Sequence, residues 1–107
     1  MNITLQYFDG CPNWETTRGH LATLLGEGLD AAIDYELIDT YEMAVDRGFG
    51  GSPTVLVDGV DMFADRRAVA GLACRVYDTE RGPAGSPTLD QLRTAIGSAG
   101  NPELRPQ

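Results

Sequence analysis

The chain contains no lysine. Its eight basic residues are all arginines, set against sixteen acidic residues, and the net charge is −8 over 107 residues. A balance this acidic argues against unspecific binding to nucleic acid or to an anionic membrane surface. The sequence also lacks a glycine-rich phosphate loop, a dinucleotide fingerprint and a basic aromatic stretch suited to single strands. Histidine occurs once, at His20, roughly two and a half helical turns beyond Cys11. That spacing excludes a Cys–His base pair along one helix and leaves His20 as an exposed or half-buried helix residue. No apolar run approaches the roughly 20 residues of a membrane span. The start, Met1-Asn2-Ile3-Thr4, lacks the basic residues and apolar stretch of a secretory signal, so the expected location is cytoplasmic. Cysteine is scarce too: Cys11 and Cys74 stand far apart. In a reducing compartment such residues are catalytic, redox-active or inert more often than structural staples. Two cysteines and one distant histidine fall short of a zinc set, and neither a metal nor a cofactor is expected.

What is present is enough for one domain. At this length about two-thirds of the unfolded surface is buried on folding. Residues 2–8 are rich in β-formers and read as a strand. Residues 12–28 carry Trp14, Leu21, Ala22, Leu24 and Leu25 at helical spacing, with Gly26 and Gly28 as the stop. In 32–39, Ile33, Tyr35 and Leu37 alternate with Asp34 and Glu36, which predicts a second strand. Asp39 or Thr40 caps a short helix at 41–47 whose inner face is Tyr41, Ala44 and Val45. Thr54–Val57 is a third strand, Asp58-Gly59 is a strong two-residue hairpin signal, and Val60 to Phe63 return as the fourth. Arg66 to Gly71 reads as a turn or helical piece, Cys74 to Tyr77 as a further strand candidate and Gly82-Pro83-Ala84-Gly85 as a loop. Thr88-Leu89-Asp90-Gln91 has the form of a capping box and opens a last helix with Leu89, Leu92 and Ile96 on one face. The order β-α-β-α-β-β-α predicts an α/β fold, a central mixed four-stranded sheet with helices on both faces. Residues 1–97 form the domain and 98–107 a flexible tail.

Cys11-Pro12-Asn13-Trp14 is the most informative stretch. The first strand turns through Asp9-Gly10 into the first helix, which places Cys11 at or next to the N-cap and Pro12 at the first helical position. A thiol there, at least partly accessible to solvent, meets unpaired backbone N–H groups and the positive end of the helix dipole, both of which favour the thiolate. Asp9 and Glu15 act against this. With no lysine to offset them, Arg75 is the best candidate cation, provided that its segment covers the site. Trp14 occupies the position where a Cys-x-x-Cys pair would have its second thiol. It either walls a substrate pocket or anchors the helix on the sheet. Cys74 has two readings as well: a thiol brought back to Cys11 by the long stretch before Thr88, or a core thiol packed beside Leu72 and Val76.

A thiol between the first strand and the first helix, with Pro53 just before the third strand, resembles the thioredoxin superfamily. More closely, Tyr7 to Trp14, Gly51-Ser52-Pro53-Thr54, Val57-Asp58-Gly59 and Gly71 to Tyr77 resemble small actinobacterial-type thioredoxin-like proteins, a group also described as alkylmercury-lyase-like. The resemblance covers most of residues 2–97. It implies a thioredoxin-like fold and a cis Ser52–Pro53 bond lying against Cys11. Trp14 departs from the family pattern, so the site is read as a monothiol one in which Cys11 is the nucleophile in thiol–disulfide exchange or reduction of a small substrate, with an external thiol or Cys74 as the candidates for resolution. Cys74 and Pro53 complete the catalytic set, and Pro12, Trp14, Ser52, Thr54 and Arg75 line the substrate side. The partner is a small-molecule thiol or a protein disulfide, and the oligomeric state is left open. Two other functions fit the same residues: a non-catalytic binding module on a thioredoxin scaffold, and mercury or organomercury handling by Cys11 and Cys74.

Overall fold

The computed structural model describes residues 1–63 and 70–99. The expected segment Arg66–Gly71 falls mostly outside them, as does the tail from residue 100 onward. Among the described residues, four strands form a mixed sheet in the order β2-β1-β3-β4. The central strand β1 (Asn2–Tyr7) runs parallel to β2 (Ala32–Leu37) and antiparallel to β3 (Thr54–Val57), which pairs antiparallel with β4 (Val60–Asp61). Register follows the period-two pattern. Ile3 pairs with Val57 and Leu5 with Val55, and all four side chains are buried on the face covered by helices.

That face is covered by α1 (Asn13–Gly26) and α3 (Leu89–Ala99), whose Leu21, Leu24, Leu92 and Ile96 complete the main core with Ala99. Gly28, at φ +105°, ends α1 after the Glu27 and Leu29 N–H groups have returned to Leu24 O. The capping box of α3 is reciprocal: Gln91 N donates to Thr88 Oγ1 (3.1 Å) and Thr88 N to Gln91 Oε1 (3.0 Å). The helix runs through Ala99, two residues past the expected domain limit at 97. The short α2 (Tyr41–Arg47) is capped by Thr40, whose Oγ1 accepts from Met43 N at 3.1 Å, and is closed by Gly48 at φ +63°. It packs Ala44 into a second cluster with Ile38 and Phe49.

Four local expectations are corrected. Tyr41 and Val45 are exposed, because a helix of seven residues has room for one inward row. The Asp58-Gly59 turn has positive φ at both residues, as a type I′ hairpin requires. However, β4 ends at Asp61, where the Asp61 carboxylate takes Phe63 N–H (2.9 Å) in place of a strand partner. Gly82–Ala84, read as a loop, is strand β6, paired antiparallel with β5 (Tyr77–Thr79) in a separate ribbon. Pro83 is tolerated there because a two-stranded ribbon leaves one edge of each strand unpaired. Finally, Cys74–Val76 is not a strand: Cys74 makes a single isolated parallel bridge with Ser52. No helix among the described residues is long and apolar enough to cross a membrane.

Candidate functional site

The site forms where β1 gives way to α1. Cys11 N–H donates to Phe8 O (3.0 Å), closing the turn through Asp9-Gly10. Pro12, at φ −73° and ψ −9°, is the N-cap, and its carbonyl accepts from Glu15 N at 3.1 Å. Cys11 therefore stands one residue before the N-cap. It is fully buried, not partly accessible as expected, because a segment distant in sequence lies against it.

That segment carries Cys74. Cys11 and Cys74 form a disulfide with their Cα atoms 5.7 Å apart, and no free cysteine remains. The pair replaces the expected single-thiol site. Cys74 is exposed and Val76 is 65% exposed, so the reading of Cys74 as a core thiol beside Leu72 and Val76 fails. Cys11 Sγ, having no proton to donate, lies 3.6 Å from the carbonyl oxygen of Ser52. The Asn13 side-chain amide also donates toward it at 3.5 Å.

Three devices hold the Cys74 segment in place. Ser52 brackets the cysteine through its backbone: its N–H donates to Ala73 O (2.8 Å) and its C=O accepts from Arg75 N (2.9 Å). Gly51 makes that approach possible. Its φ is +116°, and a Cβ there would stand 3.0 to 3.1 Å from Arg75 Cβ, Cα and N. The third device is the Arg75 side chain, which is 3% exposed. Its Nη1 donates to Asp61 Oδ2 (2.8 Å) and Thr54 Oγ1 (3.2 Å), its Nη2 donates to Phe63 O, and its Cζ lies 4.7 Å from the centre of the Tyr77 ring. Arg75 was expected to lend positive potential to the thiols. Instead the guanidinium is buried and neutralised by Asp61, because a buried charge requires a partner, and it ties the Cys74 segment to the β3–β4 hairpin.

The remaining site residues divide by burial. The Ser52–Pro53 bond is cis. Ser52, Pro53 and Thr54 are buried, and the Ser52 hydroxyl has no hydrogen-bond partner among the described residues. Thr54 Oγ1 donates to Gly51 O at 2.7 Å. Tyr77 donates its hydroxyl to Pro53 O. Burial holds the Tyr77 phenol well above its ordinary pKa, against the opposing pull of Arg75. Of the expected substrate side only Pro12 is exposed. Trp14 stacks on Tyr7 with ring centres 4.3 Å apart, and the Arg18 guanidinium carbon lies 5.0 Å from the centre of the Trp14 ring. It packs against the main core, so it anchors α1 on the sheet.

Four contributors went unassigned in the sequence: Asn13, Gly51, Asp61 and Gly85. Asn13 stood inside the motif, two residues from Cys11, and an amide beside a thiol is a readable signal. Gly85 lies so close to the Asn13 amide that a Cβ there would overlap it, a contact with no sequence signature. No family model, no curated protein and no solved structure matches the chain.

Proposed function

We propose that this chain is a thioredoxin-like protein that carries out thiol–disulfide exchange through Cys11 and Cys74. One observation carries the reading: two sequence-distant cysteines meet at the start of a helix, one enclosed and one exposed. Structural disulfides are usually inert; exchange needs a sulfur within reach of an external thiol. The sheet order β2-β1-β3-β4, the thiol between β1 and α1, and the cis proline at the entry to β3 support the thioredoxin-like assignment. The partners are a small-molecule thiol or a protein disulfide. In a cytoplasmic setting, which belongs to the same reading, a disulfide of this kind is a transient catalytic state.

The test is turnover. The protein is incubated with reduced glutathione and a small disulfide, and thiol release is followed against the Cys11→Ser/Cys74→Ser double variant. Catalysed release by the parent alone is the expected result; equal rates refute the activity. The juxtaposed sulfurs also favour a second reading, capture of a soft cation such as mercury(II) by the reduced pair. There is no cluster of three or more metal-ligating side chains among the described residues, so the expected complex is two-coordinate. Titration of the dithiol with mercury(II), read by thiolate absorbance, should end at one equivalent and should weaken sharply in either single variant.

A further inference from the structure

We infer that the external thiol exchanges at Cys74, and that Cys11 is the internal sulfur that leaves and returns. This rests on the reading of the pair as an exchange site and reverses the roles expected from the sequence. A thiolate attacks a disulfide along the S–S axis, from the far side of the sulfur that it strikes. For Cys11 that line lies inside the protein: the residue has no exposed surface, and its sulfur is flanked by the Ser52 carbonyl and the Asn13 amide. Cys74 is exposed, as are Ala73 before it and Val76 beyond the buried Arg75.

The step balances as follows. An external thiolate forms a bond to Cys74 Sγ, the Cys11–Cys74 bond breaks, and its electron pair leaves on Cys11 Sγ. The Asn13 amide donates toward that sulfur and is placed to receive the new charge. A second external thiolate then attacks the outer sulfur of the mixed disulfide. It releases the Cys74 thiolate and carries away a two-electron oxidised product, leaving the protein as a dithiol. In the opposite direction, Cys11 attacks Cys74 of the mixed disulfide and expels the external thiolate. That return is intramolecular and fast, provided that Cys74 stays put once the bond opens. The Ser52 bracket, the glycine at 51 and the Arg75–Asp61 pair hold its segment without involving either sulfur.

The experiment locates the mixed disulfide. Oxidised protein is mixed with excess 2-mercaptoethanol, quenched with acid at intervals, alkylated with N-ethylmaleimide and mapped by peptide mass. The expected result is 2-mercaptoethanol on Cys74 with maleimide on Cys11, exceeding the reverse pattern by at least about tenfold. In Cys11→Ser the Cys74 adduct formed from 2-hydroxyethyl disulfide should accumulate, since the returning sulfur is gone. Adducts mainly on Cys11, or split evenly, overturn the assignment and leave the exchange reading standing. A disulfide that resists the thiol until the protein is unfolded by urea overturns both.

Discussion

Opening the Cys11–Cys74 bond should weaken the fold measurably without abolishing it. The bond spans a sequence separation of 63. Closing a loop of that length removes unfolded-chain entropy worth about 4 kcal/mol at room temperature. Domains of this size have total stabilities of roughly 5–15 kcal/mol, so the loss is a large fraction. The fold should nonetheless persist, because the main core of Ile3, Leu5, Leu21, Val55, Leu92 and Ile96 does not include the Cys74 segment. The Ser52 bracket and the Arg75 cluster also remain after reduction. The assay is urea unfolding of oxidised and dithiothreitol-reduced protein followed by circular dichroism. The expected result is a two-state transition in both, with the reduced form lower by about 3–5 kcal/mol and a steeper denaturant slope, because the reduced unfolded chain exposes more surface. A difference below about 1 kcal/mol would refute the loop-entropy argument. A reduced protein without a cooperative transition would show that the Cys74 segment carries more of the core than its contacts indicate, and exchange through a folded dithiol would then fail too.

Three further outcomes follow from contacts at the same site. Gly51→Ala should destabilise by at least about 1–2 kcal/mol, since φ is +116° and Arg75 backbone atoms lie 3.1 Å from the new Cβ. It should also speed alkylation of Cys74 in the reduced protein, whereas Gly19→Ala, mid-helix with open space around it, should stabilise by about 0.5–1 kcal/mol. Asp61→Ala should cost about 3 kcal/mol, measured by urea unfolding, because it strands a buried guanidinium; an effect under about 1 kcal/mol, the surface-pair range, would mean that Arg75 finds other compensation. Tyr77→Phe should flatten the alkaline limb of the stability–pH curve. The folded phenol keeps its proton above the ordinary tyrosine value near 10 while the unfolded one loses it; stability is therefore full below that pH and falls above it. Parallel limbs for parent and variant would count against burial as the cause.

Local signals were legible wherever the physics was local. Thr40 and Thr88 at their caps, Gly28 at the end of α1, and Asp58-Gly59 at the hairpin each act within a few residues, and each is found in that role. The cis bond before Pro53 was readable only through family resemblance. Exposure, by contrast, depends on the whole fold. Alternation in 32–37 marks a strand but cannot say that it lies at a sheet edge, where Tyr35 and Leu37 are exposed. The role of Arg75 is non-local for a related reason. A sequence shows a cation beside a cysteine, but its partner, Asp61, is supplied by a hairpin fourteen residues away that only the fold brings under it.

The burial difference between the two cysteines has the same non-local origin, and it is the decisive fact about the site. Position at a helix start makes Cys11 the better thiolate in isolation, and on that ground alone it becomes the nucleophile. Chemistry with an external thiol also requires a path to the sulfur, and the 73–75 segment closes that path. In the proposed exchange, two properties usually found on one residue are divided between two: the helix start would stabilise one sulfur as it leaves, while exposure offers the other for attack. The division is consistent with Trp14 standing where an adjacent second thiol would be. With that position filled by a ring stacked on Tyr7, the second sulfur has to arrive from elsewhere in the chain. The contacts that deliver it, centred on Ser52 and Arg75, then matter as much to the proposed exchange as the cysteines.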